Sequence, residues 1–161
     1  YISDLTNDFL EHIEVEKGRS QLTSRNYDLY LARLIEFAGD INPKEITPEL
    51  IRKYRLWLNR YENDRKERLS ATTQSYHLIA LRGFLKYLSK RGVESLDPTL
   101  IELPKTIKKQ VTFLHYDEVE TILDSIGAGT ETDLRDRAIV ELLFSSGLRV
   151  SELINLNGDH I

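Results

Sequence analysis

No cysteine occurs anywhere in the 161 residues. That excludes disulfides and thiolate metal sites, and it is compatible with a reducing compartment. No apolar run approaches the length of a membrane-spanning helix, and the N-terminus lacks a basic region followed by an apolar stretch. The expectation is therefore a cytoplasmic protein with no membrane partner. The four histidines, His12, His77, His115 and His160, show no ligand spacing, and no Asp/Glu cluster stands out as a metal site. The run Gly127-Ala-Gly-Thr-Glu-Thr132 reads as a turn and lacks the spacing of a phosphate-binding glycine loop. No metal and no other cofactor is expected.

What is present is a soluble, globular composition, 40% hydrophobic and 30% charged, long enough for one to two domains with a sizeable core. The formal charge of −4 at first argues against a nucleic-acid partner, but the charge is unevenly placed. Residues 1–16 carry five acids and no Lys or Arg. Residues 50–92 carry eleven Lys/Arg against three acids, whereas residues 93–161 carry six against thirteen. A basic middle inside an acidic chain can form an electrostatic footprint for phosphates; a solvated helix face gives the same count.

Residues 1–92 predict a bundle of four amphipathic helices. Ser3 is expected to cap a helix with Ile2, Leu5, Phe9, Leu10 and Ile13 on one stripe, closed by Gly18. Ser20 caps the next, burying Leu22, Tyr27, Leu31, Leu34, Ile35 and Ala38 up to Gly39. Thr47-Pro48, a cap followed by proline in the first turn, starts a third with Leu50, Ile51, Tyr54, Trp57, Leu58 and Tyr61 inward. After a charged loop at 62–68, Ser70 caps the longest helix, which runs to Gly92. Leu78, Leu81, Leu85 and Leu88 are its core stripe. Thr73, Tyr76, Ala80, Gly83 and Tyr87 form another face, open either to close packing against a neighbouring helix or to a nucleic-acid groove.

Residues 93–110, with Asp97-Pro98, Leu103-Pro104 and the lysines Lys105, Lys108 and Lys109, read as an interdomain linker, and 111–161 as a second domain. Within it, Leu134, Ala138, Ile139, Leu142 and Leu143 mark one buried helical stripe that ends at Gly147, where glycine adopts a left-handed conformation without steric cost. Arg149 then opens a short helix carrying Glu152 three residues on. This holds a guanidinium beside free backbone N–H groups, an arrangement that suits a phosphate. An ordinary i,i+3 ion pair has the same spacing.

The run 135–154, Arg-Asp-Arg-Ala-Ile-Val-Glu-Leu-Leu-Phe-Ser-Ser-Gly-Leu-Arg-Val-Ser-Glu-Leu-Ile, resembles the segment around the first catalytic arginine of the tyrosine recombinases, the phage-integrase and Xer family. Ser20-Gln-Leu-Thr23-x-x-x-Tyr27-x-x-x-Leu31 resembles the second helix of that family's core-binding domain, and Ser70-x-x-Thr73-x-x-x-His77-x-x-x-Leu81 its fourth. Phe113-Leu-His-Tyr-Asp-Glu-Val resembles the entry to its catalytic domain, with His115 where a Thr or Ser cap is usual.

The resemblance implies a mainly α protein. A four-helix, SAM-like core-binding bundle (1–92) precedes a linker (93–110) and the beginning of an α-rich catalytic domain (111–161). It implies a double-stranded DNA recombination site as partner, a tetramer on DNA in the full-length protein, and no metal or ATP. By the same resemblance Arg149 contacts the scissile phosphate with Glu152 in support. Thr23, Arg25, Asn26, Thr72, Thr73 and Tyr76 lie toward the major groove, Arg82, Lys86, Lys90 and Arg91 suit backbone phosphates, and Lys105 and Lys108 follow the linker's crossing of the DNA backbone. The family's remaining catalytic residues, including its nucleophilic tyrosine, lie well beyond the first arginine, and this chain stops twelve residues after it. The expectation is an N-terminal portion that binds DNA but neither cleaves nor joins it. Two other classes stay open: a non-catalytic helix-turn-helix regulator, in which the segment from Val150 to Leu156 would face a groove, and a helical protein-interaction module. The apolar residues Val150, Leu153, Ile154 and Leu156 argue for burial of that segment instead.

Overall fold

Ser20, Thr47 and Ser70 each begin a helix by the mechanism their chemistry suggests: the side-chain oxygen accepts from the backbone N–H three residues on, at 3.3, 3.2 and 3.1 Å. A computed structural model describes residues 1–63, 65–104 and 112–157 of the chain. It divides into two compact units, Tyr1–Ile107 and Lys108–Ile161. The first contains α1 (Ile2–Val15), α2 (Gln21–Ala38), α3 (Pro48–Arg60) and α4 (Ala71–Lys90). The second contains α5 (Tyr116–Ser125), α6 (Glu131–Ser146) and α7 (Val150–Leu153). The described residues contain no β-sheet, only an isolated bridge between Glu62 and Arg68 that closes the charged loop. Among the described residues no helix is long and apolar enough to cross a membrane.

α1 departs from the expected cap. The helix starts at Ile2, so Ser3 lies inside it, and both its N–H (2.9 Å) and its hydroxyl (2.6 Å) donate to the Asp40 carboxylate. An acid from the far end of α2 thus serves the helix start. The Ser3 hydroxyl and N–H hold the Asp40 carboxyl below the ordinary carboxylate range. Ile2 N–H also donates to Ile41 O at 3.0 Å, pinning the first turn to the α2–α3 connection.

The core of the first unit is built around α4. Leu78, Leu81, Leu85 and Leu88 are buried as their spacing predicts, but so are His77, Ala80, Phe84 and Tyr87. Close packing therefore takes the second face of α4. Ala80 is fully buried, and a β-carbon on Gly83 would lie 3.5 Å from the Tyr27 ring and 3.7 Å from that of Phe9. Only Thr73 and Tyr76 of that face, toward the helix start, keep substantial exposure. Leu22, expected in the α2 stripe, is instead 68% exposed, on the solvent side of a first turn whose Ser24 is buried. Ile2, Phe9, Leu31, Leu34, Ile51, Tyr54 and Leu58 complete the interior.

The start of the expected linker belongs to this core. Asp97 caps a short 3-10 turn, Pro98–Leu100, through the Thr99 N–H at 2.8 Å. Ile101 is fully buried, Val93, Leu96 and Leu103 pack on the core, and the Arg55 guanidinium donates to the Glu102 carbonyl. Extended chain carries apolar side chains inward without a helical period, which is why this segment reads as a linker in sequence. Lys105, Lys108 and Lys109 lie outside the described residues.

The second unit is sparsely packed. Thr130 and Asp133 cap α6 reciprocally, at 3.1 and 3.0 Å, and Gly147 ends it in the left-handed region at φ 66° and ψ 18°. His115 occupies the cap position of α5 without a side-chain cap, its N–H donating to Glu118 at 2.8 Å. Val119 is the one fully buried apolar residue among those described here. The α6 stripe expected to be buried is not: Leu134 is 57% exposed and none of the helix is fully buried. Val150 and Ile154, also expected inside, are exposed, and Ile154 reaches 73%. Three helices, one of a single turn, supply too little surface to cover one another's apolar faces.

Candidate functional site

Two regions carry the candidate residues, and each is described within its own unit. In the first, α2 and α4 pack in opposite senses. Tyr27 sits beside Gly83, the Tyr30 ring stacks on Tyr76 at 6.3 Å between centroids, and Arg33 Nη1 donates to His77 Nε2 at 3.3 Å. Partners descend along α4 as they ascend along α2. The two first turns, both expected near one groove, therefore lie toward opposite ends of the helix pair. Thr23 shares a cavity lining with Lys86, late in α4, whereas Tyr76 and His77, near the start of α4, lie beside Tyr30.

All the described candidates of this unit reach solvent. Arg25, Asn26, Thr72, Arg82 and Lys86 are exposed, Thr23 and Thr73 are half-buried, and Tyr76 is 48% exposed. On α4, Thr72, Tyr76, Ile79, Arg82 and Lys86 recur every three or four residues and so share one face. The charges differ in their engagement. Arg52 and Lys53 pair with Glu49 and Arg68 with Glu62, while Arg82 and Lys86 form no ion pair among the described residues. Three of the eleven Lys/Arg of residues 50–92 are thus neutralised locally, and Arg82 and Lys86 on α4 remain available.

A small network that sequence reading missed fixes the start of α4. His77 Nδ1–H donates to the Thr73 carbonyl at 2.8 Å, and Arg33, which can only donate, reaches Nε2. The imidazole is consequently neutral. Burial holds its pKa below the ordinary histidine value, the Thr73 bond opposes this and the Arg33 charge reinforces it. Arg33 also lies over the Tyr61 ring at 4.6 Å. A histidine in a leucine-rich stripe reads as one more helix position; only the fold brings Arg33 to it.

In the second unit, Arg149 is the cap residue of α7 and its side chain is 81% exposed. Nη1 donates to Glu152 Oε1 at 3.0 Å while the Arg149 backbone N–H donates to Glu152 Oε2 at 2.7 Å. One carboxylate therefore holds both the backbone and the guanidinium of the same residue. Fewer N–H groups are free here than expected, since those of Gly147, Leu148 and Arg149 go to Leu143 O, Ser146 Oγ and Glu152. An exposed guanidinium locked to one acid retains donors in its planar fork for two oxygens of a ligand such as a phosphate. α7 spans only four residues, short for a helix that would read a groove. Among the described residues no group of three or more His, Cys, Asp or Glu is placed to hold a metal ion.

Comparisons with known proteins agree on one family. The profile of the phage integrase N-terminal SAM-like domain matches residues 6–92, more than half of the chain, and that of the phage integrase family matches residues 112–161. Tyrosine recombinase XerD of Listeria innocua is 33% identical over 99% of this chain and 54% of its own length. Tyrosine recombinase XerC of Xylella fastidiosa is 34% identical over 98% of this chain and 53% of its own. The crystal structure of XerA recombinase superposes with a TM-score of 0.50 at 26% identity, covering 100% of this chain and 52% of that one. The chain spans about half the length of the curated relatives it matches. A SAM-like helical bundle followed by the arginine-bearing segment, each matched in register, makes this chain a member of the phage integrase family, that of the Xer-type tyrosine recombinases.

Proposed function

We propose that the chain is the DNA-binding and first catalytic part of a site-specific tyrosine recombinase, which cuts and rejoins duplex DNA through a 3′-phosphotyrosyl intermediate. The observation that carries this reading is Arg149, an exposed guanidinium clamped by Glu152 directly after the Gly147 stop, inside a segment that matches the family. At a scissile phosphodiester it would neutralise charge that develops on the non-bridging oxygens, and Glu152 would keep it in place beforehand. The outer faces of α2 and α4 would hold the duplex. Thr23, Arg25, Asn26, Thr72, Thr73 and Tyr76 would face the groove, and Arg82 and Lys86, with Lys105 and Lys108, would lie along the backbone. Assembly as a tetramer on DNA belongs to the same proposal.

Attack on phosphorus needs a nucleophile in line with the leaving oxygen, and none of the eight tyrosines here stands in the sequence context the family uses for it. The 161-residue chain is therefore expected to bind a recombination site without reacting. Incubation with a nicked suicide substrate should leave no covalent protein–DNA adduct; an adduct would overturn that expectation. In the complete protein, Arg149→Ala should abolish strand cleavage while duplex binding stays within about threefold, and undiminished cleavage would remove Arg149 from the mechanism.

A further inference from the structure

A cavity of about 410 Å³ opens on the first unit where the end of α1, the start of α2 and the last turns of α4 meet. Aromatic rings line it: Phe9 and Tyr27, 5.9 Å apart between centroids, pack beside Gly83. Four cations line it, Lys17 and Arg19 from the α1–α2 connection and Lys86 and Lys90 from one face of α4, and none of them has a carboxylate partner among the described residues. The acid next in sequence, Glu16, is already engaged with His12 at 2.9 Å. Asp8, Glu11 and Glu16 of α1 line an adjoining depression with Arg91, and His12 lines both concavities. Four like charges around one concavity repel one another until an anion enters, so the arrangement selects for negative charge. Sequence reading assigned Lys86 and Lys90 to backbone phosphates but gave Lys17 and Arg19 no role, because these two stand more than sixty positions before Lys86 and Lys90.

The geometry points to a second DNA-contact site here, in which Lys17 and Arg19 join Lys86 and Lys90 to grip consecutive backbone phosphates of the bound duplex. The inference rests on the DNA-binding reading above and extends it. Thr23 and Lys86, both on the α2–α4 face, also line this cavity, so the site continues that face around the end of the helix pair. Lysine acts as a point charge that does not discriminate among bases, so the contribution of the four cations is to affinity and register more than to sequence choice.

Each phosphate contact formed steepens the dependence of log affinity on log salt by ~0.9 for duplex DNA. Binding of the 161-residue chain to a duplex is measured from low to physiological salt by fluorescence anisotropy. Removing two contacts with Lys17→Ala/Arg19→Ala should flatten the slope by about two and leave the ratio of specific to non-specific affinity unchanged. The charge-preserving exchange Lys17→Arg/Arg19→Lys should keep the wild-type slope. Arg52→Ala/Lys53→Ala, which removes the same charge from α3, should also keep it. An unchanged slope in the first variant overturns this site and leaves the DNA-binding reading standing. Equal flattening by the α3 control overturns it as well, because net charge alone would then account for the loss. Absence of salt-dependent duplex binding by the wild-type chain removes both readings together.

Discussion

The two units of this chain use similar materials to different ends. In the first, three helices and the chain after α4 enclose α4 so completely that Phe84, Leu85 and Leu88 have no exposure at all. In the second, three helices keep Leu134, Phe144, Val150 and Ile154 in contact with solvent. Both have well-formed caps: Ser70 and Thr73 at α4, Thr130 and Asp133 at α6. The contrast shows that local signals specify helices in either setting, whereas burial depends on how many neighbours a helix has. The first unit holds its proposed binding face on a well-packed core. The second holds one arginine rigidly by a local clamp, with little core beneath it.

The contrast can be broken most forcefully in the interior. Phe84→Ala should destabilise the first unit by about 3–5 kcal/mol, read by urea denaturation through Trp57, the single tryptophan. Leu142→Ala on half-buried α6 should cost under about 1 kcal/mol, and comparable losses in the two units would end the comparison. Native-state hydrogen exchange should show α4 interior amides protected about a hundredfold or more beyond those of α6. Cap removal sharpens the point: Ser70→Ala should cost about 1 kcal/mol of first-unit stability, measured by the same denaturation.

A smaller effect depends on pH and should be confined to the first unit. Burial holds the His77 pKa below its ordinary value, so as pH falls past about 6.5 the unfolded chain takes up a proton that the native state refuses. Stability is then complete above that point and declines below it. The depressed carboxyls of Glu16, Asp40 and Glu49 titrate lower still, which leaves the window above them to His77. The Trp57-detected midpoint should drop between about pH 7.5 and pH 5.5, and His77→Gln should flatten that dependence. The smallest change is expected at Glu152→Gln, which should alter stability by less than about 0.5 kcal/mol because the pair with Arg149 is exposed.

Much of this was legible in the sequence because it is local. Ser20, Thr47 and Ser70 caps, the Gly147 stop and the Arg149–Glu152 pair all act within four residues, and each stands where spacing puts it. What was not legible depends on contacts distant along the chain. Ser3 appears to the eye as a cap, yet its partner is Asp40, thirty-seven positions away. Ile101 hides in a segment with no helical period. Gly83 and Ala80 left two outcomes open, and only the position of Tyr27 and Phe9 decided for packing. The opposite senses of α2 and α4, which separate Thr23 from Thr73, likewise follow from topology.

The division of labour between the two units is tested most directly by the duplex affinity of the 161-residue chain and two variants at one salt concentration. Thr72→Ala/Tyr76→Ala on the exposed α4 face should weaken binding by about tenfold or more, while Arg149→Ala changes it by no more than about threefold. If Arg149→Ala abolishes binding and the α4 variant leaves it intact, the bundle is not what holds the DNA.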